Sequence, residues 1–227
     1  MFVPIPLEFK YAGNRSRFPA ANLTLVMINV LVYLLGWSWP TGPGTGPLSV
    51  LMYGFSHFGF WHLVLNMWVL WVFGNPANRR LGNGLYLLIY LGCVLVVGLF
   101  ARCILPVGLV GASGAIFAVI TITLILMPAA TLEYAYLASF PLTLLLAFFR
   151  RPKYELNWFL SWGISVVPAW WCLVLIPLME LYSVFWRVWT FGWISCWTPA
   201  AHLLGVACGV AVVLMLPARI TGRVSYK

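Results

Sequence analysis

The sequence predicts an all-α polytopic membrane protein: a bundle of six transmembrane helices with both termini cytoplasmic. Two observations carry that prediction. The apolar residues form separate runs long enough to cross a bilayer, and the basic residues between the runs fall almost entirely on one side. The 227 residues are 63% hydrophobic and 7% charged, with a mean hydropathy of +0.97. A soluble domain is nearer one-quarter charged and about half apolar, and no soluble fold of this size could cover so much apolar surface.

The formal charge of +9 does not indicate nucleic acid. The basic residues form no single patch but short clusters between apolar runs, as topology signals do. Asp is absent, and the acids are Glu8, Glu133, Glu155 and Glu180. That excludes an Asp-assisted catalytic triad and a carboxylate-rich metal site. The five cysteines show no C-x-x-C spacing, so neither a disulfide framework nor a zinc site is read. No cofactor or metal is implied, and activity should survive EDTA.

Each element follows in order. Residues 1–19 are a basic, proline-containing lead without the compact apolar core of a cleavable signal. Residues 22–39 are the first span, with Trp37 and Trp39 as interfacial anchors. PTGPGTGP, at 40–47, cannot continue a helix. Residues 48–59, which hold His57, are expected at the membrane surface. Residues 60–74 form the second span, where His62 and Asn66 share one face about 6 Å apart along the axis. NPANRRLGNG, at 75–84, reads as a polar loop, and 85–105 as the third span.

Residues 107–114 lead into the fourth span, which ends near Met127-Pro128. Gly111, Gly114, Ala115 and Ala118 make a small-residue stripe that lets another helix approach. Residues 129–157 are read as an interfacial or re-entrant insertion, its apolar piece 134–149 broken by Pro141. Residues 158–185 are the fifth span, bent at Pro168 and Pro177. Glu180 falls near its outer end, solvated, and is given no role. An aromatic connection, 186–197, precedes the sixth span, 198–216, with His202 in its first turns. The domain scheme is a lead (1–19), a membrane domain (20–217) and a basic tail (218–227).

Charge tests this model. One side collects Lys10, Arg15, Arg17, Arg79, Arg80, Arg150, Arg151, Lys153, Arg219, Arg223 and Lys227, and the other only Arg102 and Arg187. Eleven against two is a strong positive-inside bias. The second, fourth and sixth spans then bring His62, Asn66, Ser113 and His202 to one level, open to the outside. Polar and ionisable groups inside a span are functional candidates by default.

These residues resemble the rhomboid family of intramembrane serine proteases. The resemblance rests on Gly111-Ala112-Ser113-Gly114, on Ala201-His202-Leu203-Leu204-Gly205 with Gly209, and on His57 followed by His62-Leu63-Val64-Leu65-Asn66. It implies Ser113 as nucleophile and His202 as general base, a dyad without an acid. It implies His62 and Asn66 as oxyanion donors beside the Ser113 backbone N–H. Gly205 and Gly209, with Gly111 and Gly114, would bring the fourth and sixth spans together. The implied substrates are transmembrane segments of other membrane proteins, unwound at helix-breaking residues and admitted laterally between the second and fifth spans. A multi-pass place in a prokaryotic cell (inner) membrane goes with it.

The chain also departs from the family pattern. The loop after the first span is short and lacks the Trp-Arg motif of many relatives. Phe117 stands where some have Tyr, and could stack on His202 without offering a hydroxyl. Taken alone, Ser113 is more often a helix-packing serine; polar glue between helices is the lesser reading of His62 and Asn66, and His57 is more often structural than catalytic. The alternative function is a catalytically inactive relative that binds membrane proteins. A channel or transporter would want an inverted repeat or several buried charges, and neither is found.

Overall fold

The computed structural model describes residues 2–12, 17–139, 160–193, 196–217 and 220. Among the described residues, three helices are long and apolar enough to cross a membrane: α5 (Asn83–Ile104), α7 (Trp170–Phe191) and α8 (Trp197–Met215). Two shorter apolar helices accompany them, α1 (Ala20–Leu34) and α6 (Ser113–Leu126). A further helical run begins with α3 (Phe60–Val69), passes through a π-helical turn (Leu70–Gly74) and continues as α4 (Asn75–Leu81). Short α2 (Ser49–Met52) and a 3-10 turn (Tyr53–Phe55) lie between α1 and α3.

α6 is the central helix. Its residues from Gly114 to Leu126 are nearly all buried, as expected of a helix that is apolar on every side. Tyr86, Tyr90, Val94 and Val97 of α5 and Leu25 of α1 join it in one core.

Several boundaries differ from the sequence reading. α1 stops at Leu34 rather than running to Trp39. Gly36 takes a left-handed φ of 67° and donates to the Tyr33 carbonyl at 3.0 Å, while Trp37 N–H donates to Val32 at 3.1 Å. This paired glycine cap ends a helix. The expected polar loop 75–84 is largely the helix α4. Its two asparagines face inward instead of toward water: Asn22 Nδ2 donates to Asn75 Oδ1 at 2.9 Å, and Asn78 Oδ1 accepts from Asn22 N–H at 2.9 Å. Asn22 Nδ2 also reaches the Leu70 carbonyl at 3.1 Å, a group the π-helical turn releases. Tyr86 Oη closes the network on Asn22 Oδ1 at 2.6 Å.

The fold is not all-α. β1 (Phe2–Lys10), β2 (Thr131–Ser139) and β3 (Leu160–Pro168) form an antiparallel sheet with β2 central. Part of the expected lead is therefore an edge strand, where Pro4 and Pro6 are tolerated for want of an N–H. The described part of the expected insertion is a strand rather than a re-entrant helix, and the remainder, 140–157 with Arg150, Arg151 and Lys153, lies outside the described residues. So does the tail 218–227 apart from Ile220. The expected fifth span, 158–185, loses residues 160–168 to β3, and α7 begins only at Trp170. The sheet packs at the end of α6 opposite Ser113. There Phe9 meets Phe73 with ring centroids 5.7 Å apart, Trp68 donates to the Pro6 carbonyl at 2.6 Å, and Lys10 pairs with Glu133.

Candidate active site

Ser113 is the first residue of α6, and no side chain caps that end. The first N–H groups of a helix have no partners within it, and they carry the positive end of its dipole. A small hydroxyl is thus presented beside unpaired donors. The loop before it is fixed from two sides. Thr41 and Leu109 exchange both backbone hydrogen bonds, at 2.9 and 2.7 Å, and Gly111 N–H donates to the Tyr53 carbonyl at 3.0 Å.

Gly111 does not belong to the helix seam, as the stripe reading had it. It precedes α6 with φ +121°, a left-handed conformation that favours glycine. A methyl there would lie 2.7 Å from His62 Cε1, 3.0 Å from His62 Nε2 and 3.8 Å from Asn66 Nδ2. Gly111 is the floor on which both α3 side chains rest. Asn66 Nδ2 is buried with no hydrogen-bond partner among the described residues, so it is a donor in reserve.

The seam between α6 and α8 is made by Gly205 and Gly209. A methyl at Gly205 would overlap the Gly114 carbonyl, and one at Gly209 would sit 2.7 Å from both the Ala118 carbonyl oxygen and Thr121 Cβ. Backbone contact at this range brings His202 Nε2 to 2.9 Å from Ser113 Oγ, 89 residues apart in sequence. Phe117 stacks on the His202 ring at 4.2 Å and 9°. Gly114 turns its bare side to Val97 of α5, where a methyl would lie 2.9 Å from Val97 Cγ1.

His57 packs edge-on to the His62 ring with centroids 5.0 Å apart. It is buried, and neither ring nitrogen has a hydrogen-bond partner among the described residues. Burial, reinforced by His62, holds its pKa down to about 4, so it is a neutral strut at physiological pH. The residue that sequence reasoning missed is Glu180: its Oε1 lies 3.2 Å from His202 Nδ1. The expected span placed it near an outer end, but the later start of α7 makes it mid-helix. Among the described residues, no group of three or more His, Cys, Asp or Glu could hold a metal ion.

The arrangement can activate a hydroxyl. If Ser113 Oγ–H donates to Nε2, the neutral imidazole carries its proton on Nδ1, the nitrogen that faces Glu180. Residues 46–219, most of this bundle, match the sequence model of the Rhomboid domain. The chain belongs to the rhomboid family. It is similar to Rhomboid protein 1, mitochondrial, of Saccharomyces cerevisiae: 35% identical over 83 residues, covering 34% of this chain and 24% of that protein. It is also similar to the human Presenilin-associated rhomboid-like protein, mitochondrial: 30% identical over 156 residues, covering 59% of this chain and 40% of that protein. This rhomboid-family chain thus spans less than half the length of either relative.

Proposed function

We propose that this rhomboid-family protein is an intramembrane serine endopeptidase. It would hydrolyse peptide bonds in or near transmembrane segments of other membrane proteins, through an acyl-enzyme. The observation that carries the reading is the 2.9 Å contact between His202 Nε2 and Ser113 Oγ, made across a glycine seam that brings the two helices together. In this reading the bundle has six spans, with the Phe60–Leu81 helical run among them, and both termini are cytoplasmic. The positive-inside bias supports that topology.

The chemistry runs as follows. His202 takes the Ser113 proton as Oγ attacks the scissile carbonyl, and the same proton passes to the leaving amine. Oxyanion charge would develop beside three donors: the Ser113 N–H at the uncapped start of α6, His62, and the reserve donor Asn66 Nδ2. Donors fixed in place before the reaction stabilise developing charge without reorganising. Water then enters by the reverse of these steps. The substrate must present extended backbone, because a helical peptide bond is shielded by its own hydrogen bonds. A helix-breaking Gly or Pro near the cut meets that need. α7, with no buried residue among those described, is the wall most easily displaced for lateral entry. The prokaryotic cell membrane expected from the sequence is a proposal beside the mitochondrial location carried in the relatives' names.

The test is cleavage of a model transmembrane substrate in liposomes, with a fluorophosphonate probe on the same protein. Wild type should cleave and label, Ser113→Ala should do neither, and His202→Ala should not cleave. A folded wild type that is inert on several helix-breaking substrates and takes no label would refute the protease reading, and would favour the binding-only alternative.

A further inference from the structure

Glu180 sits midway along α7, an apolar helix long enough to span a bilayer. A carboxylate at that depth is costly unless it turns inward to a partner. Glu180 has turned inward. Its Oε1 is 3.2 Å from His202 Nδ1, and the two side chains are only 18% and 16% exposed. Nδ1 is itself buried and lacks an aligned hydrogen bond among the described residues. The carboxylate is at ion-pair range but off the N–H axis. Hydrogen bonds of this type are often loose in a substrate-free site and tighten when substrate binds.

We infer that Glu180 is a positioning residue that completes a Ser113–His202–Glu180 relay. The inference rests on the protease reading of the Ser113–His202 pair. The carboxylate holds His202 in the tautomer that leaves Nε2 free to accept from Ser113. It also stabilises the imidazolium formed when that proton arrives, and remains ionised throughout. The bonds balance: Oγ loses its proton to Nε2, Nδ1 keeps its own, and Glu180 gains none.

The ionisable groups around His202 are consistent with this assignment. α6 offers Ser113 and α7 offers Glu180. From α3, His62 is close enough to interact electrostatically. α5, which also packs on α8, offers Cys93, engaged with Cys208, and Arg102, whose guanidinium binds the Thr45 carbonyl. Glu180 is the one carboxylate in this set. Because it rides on α7, outward movement of α7 would separate it from His202, and the relay would be complete only with α7 in place.

The experiment compares full-length wild type with Glu180→Gln and Glu180→Asp in liposomes. It measures kcat and KM across pH, and histidine-labelled ¹H–¹⁵N spectra for the His202 Nδ1–H. Glu180→Gln should lower kcat about 10²-fold with KM within about twofold. This is less than the roughly 10⁴-fold of an Asp→Asn change in a fully aligned triad. The Nδ1–H resonance should shift, and Glu180→Asp should recover part of kcat. An unchanged kcat and Nδ1–H resonance in Glu180→Gln would overturn the relay. So would a faster enzyme with an unmoved Nδ1–H resonance, which would mean that Glu180 only latches α7. The spectra do not depend on turnover, so a shifted Nδ1–H in a chain that never cleaves would locate the failure in the protease reading instead.

Discussion

Gly205→Ala is the most direct perturbation of the site that leaves every polar group in place. Its neighbour across the seam is the Gly114 carbonyl, one residue after Ser113. A carbonyl within a helix cannot rotate aside, so α8 must move as a body. Gly209 gives the scale. A methyl there lies 2.7 Å from the Ala118 oxygen and Thr121 Cβ, and ordinary contact begins near 3.5 Å. Even this milder change opens the seam by roughly 0.8 Å. Adding such a displacement to the 2.9 Å between His202 Nε2 and Ser113 Oγ puts the pair beyond the ~3.2 Å limit of a good hydrogen bond. A misplacement of about 1 Å costs on the order of 10²-fold in rate. Gly209→Ala should therefore lower cleavage by up to about 10²-fold, and Gly205→Ala, whose overlap is deeper, by at least that much. Alanine is the better helix former by about 1 kcal/mol, so helix propensity does not oppose either change. The assay is initial cleavage rate in liposomes, with circular dichroism and detergent melting as folding controls. A folded Gly205→Ala protein with wild-type cleavage would refute the view that the glycine seam sets the Ser–His distance.

Asn66→Ala removes the unpartnered Nδ2 donor beside Gly111. It should lower kcat by about 10²–10³-fold, as loss of one oxyanion donor does, while KM in the same liposome assay stays nearly constant. Asn22→Ala strands the Leu70 carbonyl, Asn75 Oδ1 and Tyr86 Oη. It should cost on the order of 2–4 kcal/mol, read as a lower detergent melting temperature. The His57 ring is held neutral, with its pKa down at about 4, so the unfolded chain binds its proton first as pH falls. Stability is full above about pH 6.5 and declines toward pH 4, by on the order of 2 kcal/mol at pH 5. Melting followed against pH should show that slope, and His57→Phe should flatten it.

Most of the helices were legible in the sequence because their signal is local: an apolar run between basic clusters marks a span. The contact of Ser113 with His202, 89 residues apart, was foreshadowed by the equal depth of two spans and by the family resemblance, not by a local signal. The sheet was not legible, because its pairing is not local. Lys10 meets Glu133 across 123 residues, and in so apolar a chain the alternation of Leu132, Tyr134 and Tyr136 merges into general hydrophobicity. Asn75 and Asn78 looked like loop residues because their partner, Asn22, lies on another helix. Glu180 was misjudged for a geometric reason. Its depth depends on where α7 begins, and Pro168 ends a strand rather than bending a helix.

Helix lengths carry the depth of the site one step further. α6 has 14 residues and rises about 21 Å, roughly 9 Å short of a ~30 Å hydrocarbon core. In the six-span reading its inner end is tied to β2, so the shortfall falls at the outer end and sinks Ser113 below the membrane surface. α8 arrives at the same depth independently. It starts at Trp197, and five residues of rise carry His202 about 7.5 Å inward. In that reading a short helix and a full-length one bring Ser113 and His202 to one level because one is entered by a loop that dips inward and the other by its own first turns. Lengthening the loop before Gly111 would not move Ser113 outward, since Thr41 and Tyr53 hold that loop from the side. Breaking the Thr41–Leu109 pair would release it.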